Sequence, residues 1–441
     1  MRYAAIGKKL IGERFDVPDA YTLAGYRREG GYGTLDKLFA MKPEDVIEEV
    51  KRSGLRGRGG AGFPAGMKWS FVPKSKDKPK YLCVNADEGE PGTFKDRLIL
   101  THDPHALIEG IIICCYAVGI ETAYVYVRGE YDHPIARFQG AVDEAYAAGL
   151  LGKNAGGKGR DIDVVVHRGA GAYICGEETG LIESLEGKKG QPRPKPPFPA
   201  VVGAFGCPTV VNNVETLSAL PWIMQNGGDA YAKLGTGKST GTMLFSISGM
   251  VERPGVYETE FGVNLWEFIE KATGGVKDGK KLKAVIPGGS SAPILSADEA
   301  RAVTLDYESL AAAGTMVGSG AIMVLDEDTC VVKALEVVAR FYAHESCGQC
   351  PPCREGTYWL YRLVKRIREG KGRREDIDLI LSVCPDMMGR TVCVLADAAA
   401  MPAASYVRKF RHEFEAYINK EQPAERQIPI GGIDSEWASR L

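Results

Sequence analysis

Tyr81-Leu-Cys-Val-Asn-Ala-Asp-Glu-Gly-Glu-Pro-Gly92 joins a short apolar run to an acidic turn, and its reading decides the fold. Tyr81–Val84 fits a short buried strand. Ala123-Tyr-Val-Tyr-Val127 and Ile162-Asp-Val-Val-Val166 repeat the pattern and also read as strands. Helical stretches separate and follow them: His105–Val118, Pro134–Ala148 and Glu177–Leu185. Strand and helix taking turns predicts a parallel α/β sheet. Ligands in open sheets of this kind bind outside the carboxyl ends of the strands, so the residues just after each strand are the first places to look for a site.

Working outward, Pro43–Ser53 reads as a helix with Val46, Ile47 and Val50 on one face. From Thr242 the pattern changes. Met243–Ser248 and Gly255–Glu260 read as a hairpin, Leu265–Ala272 as a helix and Leu282–Ile286 as a strand, which together suggest a small β-grasp-like domain. From Val331 onward the chain reads as helical, near 331–344, 354–369, 374–382 and 394–418. The 441 residues leave room for two to four domains. Lys plus Arg is 55 and Asp plus Glu is 57, a net charge of −2, which gives no push towards nucleic acid or an anionic membrane. The longest apolar run is Ile111–Ile120. It is shorter than the roughly 20 residues that span a bilayer, so a buried helix and no direct membrane contact are expected. The first residues carry no secretory pattern.

Three glycine- and carboxylate-rich segments carry the chemistry. Gly57-Arg-Gly-Gly-Ala-Gly62 is a literal G-x-G-x-x-G, but a helix precedes it and Phe63-Pro64 follows, so the dinucleotide fingerprint of strand, turn and helix is not met. Its backbone amides can still approach a phosphate without Cβ obstruction, and Arg56, Arg58 and Lys68 add charge; the bland reading is a flexible loop. In the turn after the first strand, Asn85, Asp87, Glu88 and Glu90 offer groups for ribityl, ribose or carboxamide contacts; the bland reading is a polar turn. After the third strand, Tyr173 offers a ring for stacking. Glu177 and Glu178 sit where a helix starts, a place that favours negative charge whatever else they do. Asn212 and Asn213, in Val-Asn-Asn-Val-Glu-Thr216, each bring two donors and an acceptor; they suit a phosphate or a flavin edge, or else a strand end and a helix cap. The proline-rich stretch before Val201 is a rigid linker or a stiff wall of a site, carrying Lys195 and Phe198.

Eleven cysteines in a chain without a secretory pattern argue against a disulfide framework. Cys347, Cys350 and Cys353 form C-x-x-C-x-x-C. A cubane needs four thiolates, so a remote cysteine must join them; Cys393 is preferred and Cys384 is the fallback. Zinc more often takes two separated pairs, and the spacing fits a [4Fe–4S] cluster better.

With these segments in hand, the chain resembles the NADH-binding flavoprotein subunits of respiratory complex I. The resemblance covers nearly the whole chain. It rests on Leu55–Phe63, Asn85–Gly92, Gly169–Thr179 (with Tyr173, Gly176, Glu177 and Glu178), Val211–Thr216 and Glu345-Ser-Cys-Gly-Gln-Cys350. It implies an α/β multidomain fold. Residues 1–66 would be a helical and glycine-rich segment and 67–238 a Rossmann-like domain for FMN and NADH. Residues 239–328 would be a β-grasp domain of the SLBB type, and 329–441 a helical iron–sulfur domain with a C-terminal tail. FMN would be held by Gly57, Arg58, Gly59, Gly60, Ala61 and Gly62, by Lys68, by the Asn85–Asp87 turn and by Asn212, Asn213 and Thr216. Phe63, Phe71 and Phe198 would lie near the adenine of NADH. Glu90 and Glu178 would position the nicotinamide nucleotide, with Lys195 nearby, and no catalytic side chain beyond the flavin is implied. Cys347, Cys350, Cys353 and Cys393 would hold the [4Fe–4S] cluster. The implied partners are a thioredoxin-like [2Fe–2S] subunit and an iron–sulfur subunit. The implied place is cytoplasmic, peripheral to the inner membrane through those partners. Two other readings compete: a diaphorase subunit of an NAD-linked hydrogenase or formate dehydrogenase, and a non-catalytic cluster-binding assembly subunit.

Overall fold

The computed structural model describes residues 3–75, 77–157 and 159–421. The C-terminal tail expected after the helical domain falls on 422–441, outside the described residues. A four-stranded parallel sheet has the spatial order Asp163–Arg168, Thr122–Val127, Tyr81–Ala86, Thr209–Asn213. The chain builds outward from Tyr81–Ala86 on one side, then returns to lay Thr209–Asn213 on the other. The order therefore reverses between these two strands, and a crevice opens at their carboxyl ends. Their register pairs Asn85 with Asn213, so two of the polar candidates stand side by side at that crevice.

One face of this sheet packs on helix Pro104–Val118, every residue of which is buried. No single described helix is long and apolar enough to cross a membrane. The bent pair Asp96–His102 and Pro104–Val118 passes such a test by length and composition alone, and its apolar surface is the core of the sheet domain.

The second sheet has six strands, in the order Tyr3–Ala5, Gly255–Glu260, Thr242–Gly249, Ala321–Asp326, Leu282–Ile286, Leu295–Ser296. With helix Leu265–Thr273 packed through Phe268 against Phe245, this is the expected β-grasp unit, made larger by three unforeseen strands, of which Leu295–Ser296 is a two-residue edge. Ala321–Asp326 lies at its centre, and Tyr3–Ala5 pairs in parallel with Gly255–Glu260. The N-terminal segment is therefore tied to this sheet. Glu258 holds it: the carboxylate accepts from the N–H groups of Leu10, Ile11 and Gly12 at 2.9, 2.9 and 3.0 Å and from the hydroxyls of Tyr3 and Thr242.

Helices Val331–Glu345, Pro351–Arg368, Arg374–Met387, Leu395–Lys409 and Arg411–Ile418 form the C-terminal bundle. The single helix expected over 394–418 is two, parted at Phe410. The bundle shares one apolar core with Cys83, Ile174, Leu181 and Val211 of the sheet domain, so it packs against the face opposite helix Pro104–Val118.

Replacing Glu258 by Ala leaves three buried N–H groups without their acceptor, each costing about 1–3 kcal/mol if unsatisfied. The expected result is a lower melting temperature and loss of hydrogen-exchange protection at Leu10–Gly12. Protection unchanged in the variant would show that this carboxylate does not hold the segment.

Candidate functional site

The glycine loop is closed by Gly57 N–H on the Phe63 carbonyl at 2.9 Å and Ala65 N–H on the Leu55 carbonyl at 2.9 Å. Gly60 and Gly62 have φ of +122° and +63°, which side chains rarely adopt. A Cβ at Gly62 would also stand 2.6 Å from the Tyr307 ring, whereas one at Gly60 would meet nothing within 4 Å. The loop thus has a packed side and an open side. Among the described residues, the amides of Gly59, Gly60, Ala61 and Gly62 meet no hydrogen-bond acceptor, and Gly59 abuts Asn213. Unclaimed amides at a crevice fit an anion such as a phosphate.

The arginines differ from the expectation. The Arg58 guanidinium is buried, donating to the carbonyls of Arg56, Thr240 and Thr242 and to the Tyr231 hydroxyl. Arg56 lies 3.8 Å from the Tyr307 ring centre, donates to the Gly62 carbonyl and pairs with Glu308. Both build the loop from behind. Backbone carbonyls claim these donors because the turn needs them, and the charge is directed inward. Lys68 remains half-buried beside the loop, donating to the Val211 carbonyl at 3.1 Å and lying 3.6 Å from Glu178.

The carboxylates of the acidic turn part company. Glu88 accepts from the N–H groups of Lys95, Asp96 and Arg97 and from the Tyr131 hydroxyl. It caps helix Asp96–His102, so its carboxylate does not face the crevice as expected. Glu90 accepts from Ser291 N–H at 2.8 Å, the Ser290 hydroxyl at 3.3 Å and the Tyr173 hydroxyl at 2.7 Å. Tyr173 is held edge-on by Phe341 and Tyr342. Its hydroxyl therefore orients Glu90, a role the stacking reading did not include. Asn85 ties the turn to the third strand end, donating to the Gly176 carbonyl at 2.8 Å. Asp87 keeps one buried carboxylate oxygen without a partner. That unclaimed acceptor suits a donor from a bound ligand.

Glu177 caps helix Glu178–Leu185 through the N–H groups of Thr179 and Gly180. Lys195 donates to Glu177 at 2.8 Å and Glu178 at 2.7 Å. Burial alone would raise the Glu178 carboxyl, but Lys68 and Lys195 hold it below its ordinary value. Asn212 accepts from the Trp69 indole at 2.9 Å; Asn213 caps helix Val214–Ser218 and donates to Asp96 at 2.6 Å. The Thr216 hydroxyl accepts from Arg58 N–H at 2.9 Å, behind the loop. Phe63, Phe71 and Phe198 are 42%, 55% and 58% exposed, far more than soluble proteins usually allow phenyl rings.

The cysteines gather beside this. Cys347 and Cys350 lie in the loop between helices Val331–Glu345 and Pro351–Arg368, and Cys353 lies in the first turn of the latter. Val392 N–H donates to Cys350 Sγ at 3.3 Å. Burial raises the Cys393 thiol to about 12, with Glu177, Cys353 and Cys347 close enough to add to the rise. Cys384 is buried in its own helix and responds to Arg408 instead. Among the described residues, no three His, Cys, Asp or Glu side chains converge to hold a single metal ion. The Cys347, Cys350, Cys353 and Cys393 set matches the all-thiolate demand of an iron–sulfur cubane.

Sequence reasoning did not find Ser290 and Ser291, which follow the strand Leu282–Ile286 and steady Glu90, nor Tyr307 behind the loop. The Gly288-Gly-Ser-Ser291 run after a strand was the one signal for the first pair.

A nucleotide-type crevice at a strand reversal, exposed phenyl rings and four thiols on the adjoining bundle define a flavin- and cluster-carrying dehydrogenase module. Family models match in chain order: the Nuo51 FMN-binding domain over residues 50–222, an SLBB domain over 243–324, and the NADH-ubiquinone oxidoreductase-F iron-sulfur binding region over 333–417. The curated relative from Mycobacterium tuberculosis, named as the F subunit of NADH-quinone oxidoreductase, is 50% identical over 97% of this chain and 98% of its own. The Streptomyces coelicolor relative of the same name is 52% identical, over 97% and 94%. A chain in the crystal structure of an air-oxidised NAD+-reducing [NiFe]-hydrogenase superposes with a TM-score of 0.82 at 35% identity, over 99% of this chain and 71% of that one. The chain belongs to the family of NADH-quinone oxidoreductase F subunits.

Two outcomes are expected. Cys393→Ala is expected to abolish bound iron and acid-labile sulfide, while Cys384→Ala retains both; loss in the second and not the first would reverse the choice of fourth ligand. The second concerns Asp87, whose carboxyl burial pushes up to about 7, Arg128 pulling back and Glu130 and Glu345 adding to the rise. The folded protein then holds a proton that the unfolded chain releases near pH 4. Stability of the cofactor-free protein is full below that pH and falls as pH rises towards 7. Asp87→Asn is expected to make this slope shallower without abolishing it, because burial also raises the Glu88 and Asp103 carboxyls, to about 7 and about 6. Melting temperatures of both proteins at pH 5 and 7.5 check it, and parallel slopes would contradict it.

Proposed function

We propose that this chain oxidises NADH in the crevice at the Tyr81–Ala86 and Thr209–Asn213 strand ends and passes single electrons to a [4Fe–4S] cluster on Cys347, Cys350, Cys353 and Cys393. The observation that carries the reading is the segment Tyr173–Glu178. Its Tyr173 hydroxyl reaches Glu90, and its Glu178 carboxylate meets Lys68. The Tyr173 N–H donates to Glu345, two residues before Cys347, at 3.1 Å. One turn thus borders both the nucleotide crevice and the cluster loop.

FMN, when bound, supplies a hydride acceptor that can release its electrons singly. The residues supply position. Gly59, Gly60, Ala61 and Gly62 present amides to its phosphate, backed by Lys68. Asn85, Asp87, Asn212 and Asn213 offer hydrogen bonds to its polar edge and ribityl chain. Glu90 and Glu178 face the nicotinamide nucleotide, and Lys195 balances the charge of Glu177 and Glu178. Phe63, Phe71 and Phe198 cover the adenine. The hydride transfer itself needs no side-chain base, and the contribution of the protein to it is proximity and stacking; the proton left behind when the two electrons depart is released to water.

Electrons leave through partner subunits. Beside the cluster, Val394 and Met388 are 72% and 37% exposed, an apolar edge suited to cover by another subunit. A thioredoxin-like [2Fe–2S] subunit and a further iron–sulfur subunit are the proposed partners, in a peripheral arm on the cytoplasmic side of the inner membrane. The resemblance in fold to the hydrogenase chain keeps a diaphorase role as the second reading; co-purification of hydrogenase subunits would favour it.

With FMN bound, NADH is expected to bleach the flavin absorbance band; a band indifferent to NADH would overturn the proposal in favour of a non-catalytic subunit. Phe198→Ala is expected to raise the KM for NADH about tenfold, since stacking a base on an aromatic ring contributes about 1–3 kcal/mol, with flavin content unchanged. An unaltered KM would remove Phe198 from the nucleotide site.

A further inference from the structure

Ser346 is the first residue past helix Val331–Glu345, and its N–H donates to the Tyr342 carbonyl at 3.1 Å. That bond ties Ser346 to the helix end. Its Oγ stands 3.2 Å from Cys353 Sγ, and Gly348 N–H donates to the same Oγ at 3.4 Å. A hydroxyl has one proton and two lone pairs. Gly348 takes a lone pair, which leaves the proton for the sulfur. A thiol at Cys353 could either give or take this bond. A cysteine bound to iron is a thiolate and can only accept, so in the loaded protein the hydroxyl donates.

We propose that Ser346 is a positioning residue that tunes the cluster: its hydroxyl donates to the Cys353 thiolate and raises the reduction potential of the [4Fe–4S] centre. Hydrogen bonds to ligand sulfurs are among the factors that set cluster potentials. The added electron increases the negative charge on the thiolates, so a donor stabilises the reduced form more than the oxidised one. The Val392 N–H on Cys350 Sγ acts in the same sense from the backbone. Arg354 also lies near, donating to the Gly348 carbonyl at 2.9 Å, but its side chain is half-exposed and paired with Glu355, so water and a counter-charge screen it. Among the described residues, Ser346 is the side-chain donor in direct contact with a ligand sulfur.

This inference rests on the four-cysteine reading, and the experiment separates the two. In the full-length cluster-loaded chain, separated from its iron–sulfur partner subunits, iron and sulfide content is measured first, then the cluster is titrated against potential with detection by EPR. Ser346→Ala is expected to retain full iron and to shift the one-electron reduction equilibrium about tenfold towards the oxidised form, equivalent to about 59 mV more negative. Ser346→Thr keeps the hydroxyl and is expected to titrate like the unaltered protein. Ser346→Val has the shape of Thr without the donor and is expected to shift as Ala does, which covers the case that Ala fails to assemble. Full iron with an unmoved potential in Ala and Val would overturn the role of Ser346. A Thr variant shifted as far as Val would assign the effect to space filling and overturn it too. An unaltered protein lacking four irons would overturn the cluster reading beneath it.

Discussion

The Lys95 ammonium, wholly buried, sits 2.8 Å from Asp96 and 2.6 Å from Glu215. Desolvation opposes its charge, but the two carboxylates and Glu88 outweigh that, and the ammonium is held above its ordinary pKa. Removing one member of such a buried set costs roughly 3–5 kcal/mol because the others are left uncompensated. The geometry explains why the rest depends on it. Asp96 spends its second oxygen on the Asn213 amide, and Glu215 accepts from Leu244 N–H at 2.9 Å. One ion cluster therefore fixes the last residue of the strand Thr209–Asn213, the start of helix Asp96–His102 and the second sheet. Asn213 in turn abuts Gly59, so the phosphate-type loop inherits its position from charges it never touches.

The crevice follows a division between groups that build and groups that wait. Arg58, Glu88, Thr216 and Glu177 have their strong contacts satisfied within the protein, and they shape the backbone around the site. The loop amides, one oxygen of Asp87 and the exposed faces of three phenyl rings are unsatisfied in the same region. Buried polar groups are ordinarily paired. The buried Asp87 oxygen departs from that rule, and together with the open loop amides and the exposed aromatic surface it is what a flavin nucleotide and a dinucleotide would complete.

Much of this is legible in the sequence. The three first strands of the parallel sheet, the glycine loop and the C-x-x-C-x-x-C triplet announce themselves by local pattern, because alternation, turn chemistry and ligand spacing are short-range properties. What escapes depends on partners far along the chain. Tyr3–Ala5 is a strand only because Gly255–Glu260 offers it an edge, and three residues hold no periodicity to read. Ala321–Asp326 carries an ordinary apolar run whose place at the centre of the second sheet comes from its pairing with Thr242–Gly249. Arg58 resembles a phosphate ligand in sequence, yet the carbonyls of Thr240 and Thr242, more than 180 residues away, claim its guanidinium. Glu88 is nearer to being readable: an acidic residue seven positions before Lys95, where a helix begins, is a plausible cap, but its equal claim as a ligand group could be settled only by geometry.

The distance between crevice and cluster is a property of one junction. Tyr173 N–H binds the Glu345 carboxylate at the end of helix Val331–Glu345, while the Tyr173 ring packs on Phe341 and Tyr342 of that helix. Gln191, on the segment leading to Lys195, donates to the Cys347 carbonyl at 3.2 Å. The cluster loop is thus gripped from two sides by elements that also carry residues proposed to face the nucleotide. Electron transfer between two bound centres needs a short and constant separation, and a hinge between sheet and bundle would spoil it. Here the apolar core runs without a break from Cys83 and Val211 under the sheet to Leu335 and Leu360 in the bundle. A shared core of this kind has discrete packings and resists continuous sliding, so the crevice and the cysteines move as one body or not at all.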